Sequence, residues 1–239
     1  MENELLNNEG YSSSQAEKRI SEAGARFLTK TYGWMVIALL LSAAAAFFAA
    51  SNETLLRFMF ASRIRFLALC LGELALVSFL SGRIRTMSTF AASVGFVVYS
   101  IVNGLTLSYI FLAYELSSIA QIFLIAALMF GFMAAYGAIT KRNLNTIGHY
   151  CMMALIGLII AGLVNFFLRS QTLSYIYSFV GVLVFVGFTA YDSQKIMFTA
   201  YQADENEAYN RVAILGALDL YLDFINLFLN LLRLFGRRR

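Results

Sequence analysis

Residues 211–235, RVAILGALDLYLDFINLFLNLLRLF, are apolar over a length that can enter a bilayer, yet they carry Asp219, Asp223, Asn226, Asn230 and Arg233. At about 100° per residue, steps of four, three, four and three hold all five within an arc of roughly 80°, and the other faces are Leu, Ile, Phe and Val. A carboxylate in hydrocarbon costs about 2.5 kcal/mol or more. The stripe must therefore face protein or water, and this is expected to be the helix that the others surround.

The rest of the chain places that helix in a membrane. Of 239 residues, 60% are hydrophobic and 13% charged, a balance that a soluble domain of this size does not carry on its surface. The formal net charge of +4 belongs to loops and does not argue for a nucleic-acid partner. Polar sequence without a small-residue cleavage pattern precedes the first apolar run, so no removable signal peptide is expected. Cys70 and Cys151 lie in apolar runs and read as packing residues. His149 has no second His or Cys nearby to complete a metal site, which leaves redox chemistry, zinc and a resident cofactor without support.

The expected fold is an all-α membrane domain of seven transmembrane helices, six around a central C-terminal seventh, over residues 31–239. Residues 1–30 read as a mobile, polar N-terminal tail. The spans are expected near Tyr32–Ala50, Phe66–Ile84, Phe90–Tyr114, Ile119–Ile139, Tyr150–Leu168, from Tyr175 past Asp192, and 211–235. Asn52 to Arg65 reads as a loop, and Ser42 to Ala46 as a small-residue run that lets a neighbouring helix come close. Asp204, Glu205 and Glu207 read as a solvated face, and Asn226 and Asn230 as interhelical hydrogen bonders.

With the N-terminus cytoplasmic and seven crossings, ten Lys and Arg fall inside and eight outside. The count becomes fourteen against four if the last segment re-enters and returns, which leaves the side of the C-terminus open. Unbroken helix formers after Gly216 favour seven crossings.

In that topology the sixth helix descends as the seventh leaves, and Asp192 comes level with Asp219 and Asp223. Arg83 or Arg85, ending the second helix, comes within reach of them. Two carboxylates about 6 Å apart repel by roughly 3 kcal/mol at an effective dielectric of about 20, so the pair is expected to share one proton. Shared, the proton ties two helices together; lost, it leaves charges that must separate, recruit arginine or bind a cation. Calcium suits such a cluster because it accepts oxygen ligands in irregular geometry. Glu73 and Arg233 are expected to form an outer pair, either a fixed staple or a gate.

At AYDSQKI (Ala190 to Ile196) and LYLDFINLFLNLLRLFG (Leu220 to Gly236) the chain resembles the Bax inhibitor-1 family, particularly its bacterial members. TYGWM (Thr31 to Met35), TKRNL (Thr140 to Leu144) and ALIGLIIAGLVNFFL (Ala154 to Leu168) extend the resemblance over nearly everything after residue 30. It implies a bacterial inner-membrane protein with a pH-sensitive calcium leak, gated by aspartates that match Asp192 and Asp223. It also implies an arginine latch near Arg83 and an outer pair at Glu73 and Arg233. Asp219 departs from the pattern as a third carboxylate and an additional cation ligand, and Asn143 stands where an Asp is usual.

Three other readings compete. An intramembrane aspartyl protease would use Tyr191 and Asp192, but GALD (Gly216 to Asp219) lacks the second glycine of GxGD, and a chain without proline cannot carry a PAL motif. No HExxH, GxSxG or phosphate-cradling loop appears, so no enzyme is expected. A proton-coupled transporter would use the same carboxylates. A non-conducting regulator of a membrane protease or cell-death-type partner would work through its N-terminal tail.

Overall fold

The computed structural model describes the backbone of residues 2–202 and 207–239 and the side chains of 24–62, 64–199 and 209–239. Among the described residues the regular structure is helical: α1 (Glu2–Ser51), α2 (Glu53–Phe60), α3 (Arg63–Arg83), α4 (Thr89–Leu107), α5 (Tyr109–Ala113), α6 (Leu116–Ile139), α7 (Asn145–Leu168), α8 (Gln171–Gln202) and α9 (Glu207–Phe235). Seven spans are long and apolar enough to cross a bilayer, starting at Gly24, Ile64, Thr89, Leu116, Asn145, Gln171 and Tyr209. In hydrocarbon every backbone polar group needs an internal partner, and a chain with no proline meets that demand by continuous helices. The observed spans match the expected ones to within a few residues, except that the first begins at Gly24 inside a longer α1. The side chains of Asp204, Glu205 and Glu207 lie outside the described residues, as do those of the first twenty-three positions.

The segment after Asn52, expected as a loop, is the short amphipathic helix α2. Asn52 is its N-cap and accepts from the Leu55 N–H at 3.0 Å, while Glu53 pairs with Arg57 one turn on at 2.6 Å. Leu56 and Met59 are buried on one face. The third span is also divided: α4 ends at Leu107, and α5 resumes after Ser108, whose N–H bonds back to the Gly104 and Leu105 carbonyls.

α9 is the most enclosed span: 67% of its apolar stretch is buried, against 11% for the span in α3 and 6% for α7. It packs against α1, α4, α6 and α8, while α3 rests chiefly on α4 and α7 on α8. Four spans thus pack directly on α9, and α3 and α7 line with it a cleft of about 540 Å³. Close approaches set the inner packing. A Cβ on Gly104 would overlap the Ser42 backbone and the Ala45 side chain, so α1 and α4 meet at the small-residue run. A Cβ on Gly137 would collide with the carbonyl of Ala190, so α6 lies directly against α8 two residues before Asp192.

The C-terminus is held at one end of the bundle. Arg237 O accepts from the Glu115 N–H at 3.0 Å, Arg239 N donates to Ala113 O at 3.2 Å, and Arg237 N donates to the Ser118 hydroxyl at 2.9 Å. Since α9 is unbroken from Glu207 to Phe235, the last segment crosses and does not turn back. The opposite end gathers Phe27 against Tyr209, Lys30 bonded to Asn210, and Arg211 bonded to the Met87 carbonyl at 3.1 Å.

Gly137→Ala should therefore lower the thermal denaturation midpoint in detergent by several degrees, while Gly131→Ala, which meets nothing within 4 Å, should leave it unchanged or slightly raised. Equal effects of the two would show that α6 and α8 are not in limiting contact.

Candidate functional site

α8 runs on past Asp192 to Gln202 because Ile196, Met197 and Phe198 continue its apolar character, and Asp192 is consequently enclosed, with 8% of its surface exposed. Its neighbours tie this turn to three other elements. The buried Gln194 amide donates to the carbonyls of Thr140 at 3.3 Å and Arg142 at 2.8 Å, and its oxygen accepts from the Leu144 N–H at 2.9 Å. The α6–α7 turn is thereby clamped to α8. Ser193 sits 3.2 Å from the Tyr32 hydroxyl of α1.

On α9, Asp223 is 5% exposed, and its carboxyl lies within hydrogen-bond reach of that of Asp192. Asp223 Oδ2 is buried without a donor, as is Oδ1 of Asn230. Two carboxylates at this distance form a hydrogen bond only when a proton sits between them. The third aspartate is held differently: Lys195 Nζ is 3.5 Å from Asp219 and 3.7 Å from Asp192, bridging the two helices. Arg85 lies close enough to Asp219 to act on it electrostatically.

These groups open onto the cleft between α9 and the outer helices α3 and α7. Glu73, Tyr99, Asn103, Asp192, Asp219, Asp223 and Asn226 supply its polar lining, and Leu74, Val77, Leu155, Phe185 and Phe188 are among its apolar walls. A second polar chain reaches it from the core. The fully buried Tyr221 hydroxyl donates to Asn103 Oδ1 at 2.8 Å and lies 2.6 Å from the Ser42 hydroxyl, which is itself 2.7 Å from the Ser100 carbonyl. Asn103 in turn donates to Glu73. Among the described residues, no three His, Cys, Asp or Glu side chains converge as ligands of one metal ion.

The sequence placed Asp192, Asp219 and Asp223 together, and the structure does bring them together. It does not pair Glu73 with Arg233. Glu73 lies nine residues into a span that begins at Ile64, about 13 Å deep at 1.5 Å per residue, which puts it on the same cleft as the aspartates. Arg233 is exposed and sits 5.5 Å from the ring centre of Tyr177. Arg83 is exposed on the last turn of α3, and its side chain makes no hydrogen bond or ion pair with the aspartates; Arg85 is the arginine of that end that acts on Asp219. Asn226 and Asn230 donate to the carbonyls of Leu222 and Asn226 on their own helix, not across to a neighbour. Lys195 was missed. Its signal was the spacing of three from Asp192, which puts both side chains on one helix face.

Seven apolar spans around a buried acidic cluster define a polytopic helical membrane protein with ionisable groups in its interior. Residues 24–239 match the family described as Inhibitor of apoptosis-promoting Bax1, and the chain belongs to this Bax inhibitor-1 family. It is 46% identical over 215 residues to the inner membrane protein YbhL of Escherichia coli (strain K12), covering 89% of this chain and 92% of that one. It is 43% identical over 215 residues to a protein of Borreliella burgdorferi, with 90% and 93% covered. A third similar protein, from Rickettsia prowazekii, is 40% identical over 222 residues, with 93% and 94% covered.

Tyr221→Phe removes the hydroxyl shared by Ser42 and Asn103 and leaves Asn103 Oδ1 without its donor. A loss on the order of 1–3 kcal/mol is expected, read as a lower denaturation midpoint in detergent. Tyr114→Phe, at the pinned C-terminal end, is the matched control and should cost less.

Proposed function

We propose that this protein is a pH-sensitive leak for Ca²⁺ in a bacterial inner membrane, with the N-terminus cytoplasmic and Asp192 and Asp223 as proton sensor and gate. One observation carries the reading: two enclosed carboxyls on adjacent helices face each other, and one oxygen of Asp223 has no donor. With a proton between them, α8 and α9 are bonded. Without it, two negative charges this close repel by several kcal/mol, about 4 kcal/mol for a 4 Å separation at an effective dielectric of about 20, and a cation relieves that repulsion. A proton and a cation compete for the same oxygens, so cation occupancy falls in acid.

The groups that face the pair are Lys195 on α8, Asp219 on α9 and Cys151 on α7, with Glu73 of α3 and Tyr99 of α4 across the cleft. Asp219 is the additional oxygen donor toward the end of the bundle that holds Lys30 and Arg211. Glu73 and Asn103 continue the polar lining on the other side, which supports a path along the cleft in place of the outer Glu73–Arg233 gate. For the latch, the positions near Asp219 favour Lys195 and Arg85 over Arg83. Transported Ca²⁺ is cargo here, and a leak must release what it takes up.

In liposomes loaded with a Ca²⁺ dye, the wild type should show downhill influx that varies with external pH. In Asp192→Asn and in Asp223→Asn the flux should lose that dependence. No flux above empty liposomes from folded protein would remove the leak reading. Flux that requires an imposed proton gradient would indicate a coupled transporter. A cellular function that survives both substitutions but not deletion of residues 1–25 would indicate a regulator of a membrane partner.

A further inference from the structure

Lys195 lies four residues from the end of the span at Thr199, where a lysine ordinarily extends its ammonium toward the interfacial water. Here it turns back. Nζ sits between Asp192 on its own helix, at 3.7 Å, and Asp219 on α9, at 3.5 Å, and its side chain is still 47% exposed. Beside this bridge, Asp223 Oδ2 is buried, has no donor, and belongs to a residue that lines the cleft. The cluster therefore holds three carboxylates, one ammonium and one unused oxygen. Lys195 is also the cation that acts on all three aspartates, and Arg85 adds a weaker influence on Asp219 alone.

An ammonium held between two carboxylates occupies the place that a mobile cation entering between α8 and α9 would take. We propose that Lys195 is a tethered cation that competes with a divalent metal ion of the Ca²⁺ class for the oxygens of Asp192 and Asp219. This deepens the leak reading above and rests on it. Three features make the exchange feasible. The ammonium is near the water end of the span, its exposed stem has four rotatable bonds with which to swing outward, and Asp223 supplies an oxygen that Lys195 does not satisfy. Displacing Lys195 also removes the ionic bridge from α8 to α9, so an arriving ion would loosen the contact that closes the cluster. A lysine that only staples the helices would contribute to stability and have no effect on ion affinity beyond it.

The two roles separate in equilibrium binding of radioactive Ca²⁺ to the full chain in nanodiscs at neutral pH. Wild type, Lys195→Met, Lys195→Gln and Lys195→Arg are compared, with Asp223→Asn as the site control and gel filtration and melting as checks of folding. Lys195→Met and Lys195→Gln should each bind about tenfold more tightly or better than wild type, because a positive charge within 4 Å of two ligand oxygens is gone. Lys195→Arg should stay near wild type, and Asp223→Asn should lose binding. Lys195→Gln can still hydrogen-bond both carboxylates, so it keeps the test open if Lys195→Met does not fold. Wild-type binding that Asp223→Asn abolishes but that neither neutral variant tightens would overturn the tethered cation and leave the leak reading standing. No binding in any folded variant would overturn both.

Discussion

The carboxyl pair of Asp192 and Asp223 is the interaction that the bundle is built to accommodate. An ionised carboxylate is too costly to leave in hydrocarbon, so each must be enclosed by protein, and α9 is accordingly wrapped by α1, α4, α6 and α8. Enclosure alone would still leave two like charges in contact. The Lys195 bridge to Asp219 a turn away brings a positive charge beside them, yet Asp223 Oδ2 still has no donor, so the cluster is not a rigid network that consumes every lone pair.

Around that pair, polar side chains anchor the helices at two levels. Gln194 fastens the α6–α7 turn to α8 through three backbone groups, two residues from Asp192. Tyr221 links α9 to α1 and α4 through Ser42 and Asn103, two residues from Asp223. Between these anchors, α9 packs on α6 through Phe224 against Phe123 and Phe130. The outer side is open by contrast: α3 and α7 stand across a cleft from α9, and the carboxylates line that cleft. The scaffold is thus firm on one side of the acidic cluster and spacious on the other.

Much of this was legible from the residues. The seven spans followed from hydropathy and length, the interior position of α9 from a stripe that spans a single arc, and the meeting of three aspartates from counting depth along antiparallel helices. The misassignments have separate local causes. Glu73 was counted from a start two residues late, which moved it toward the outer end and suggested Arg233 as its partner, whereas it lies on the aspartates' cleft. Arg83 is the last residue of α3 and Arg85 lies in the turn that follows it, and the path of that turn decides which approaches Asp219. Asn226 and Asn230 had backbone acceptors one turn back on their own helix, an alternative that no spacing rule excludes.

The sequence by itself determined that the chain is a membrane bundle and that α9 must hide a polar face, because periodicity and desolvation cost are properties of one helix at a time. Which group each hidden residue meets was decided only by tertiary structure. Lys195 between Asp192 and Asp219, Asn103 on Glu73, and the unpaired oxygen of Asp223 all depend on the rotation and axial offset of neighbouring helices. A residue count fixes those offsets only to within about a turn, roughly 5 Å, which is longer than the reach that separates a bonded partner from a bystander.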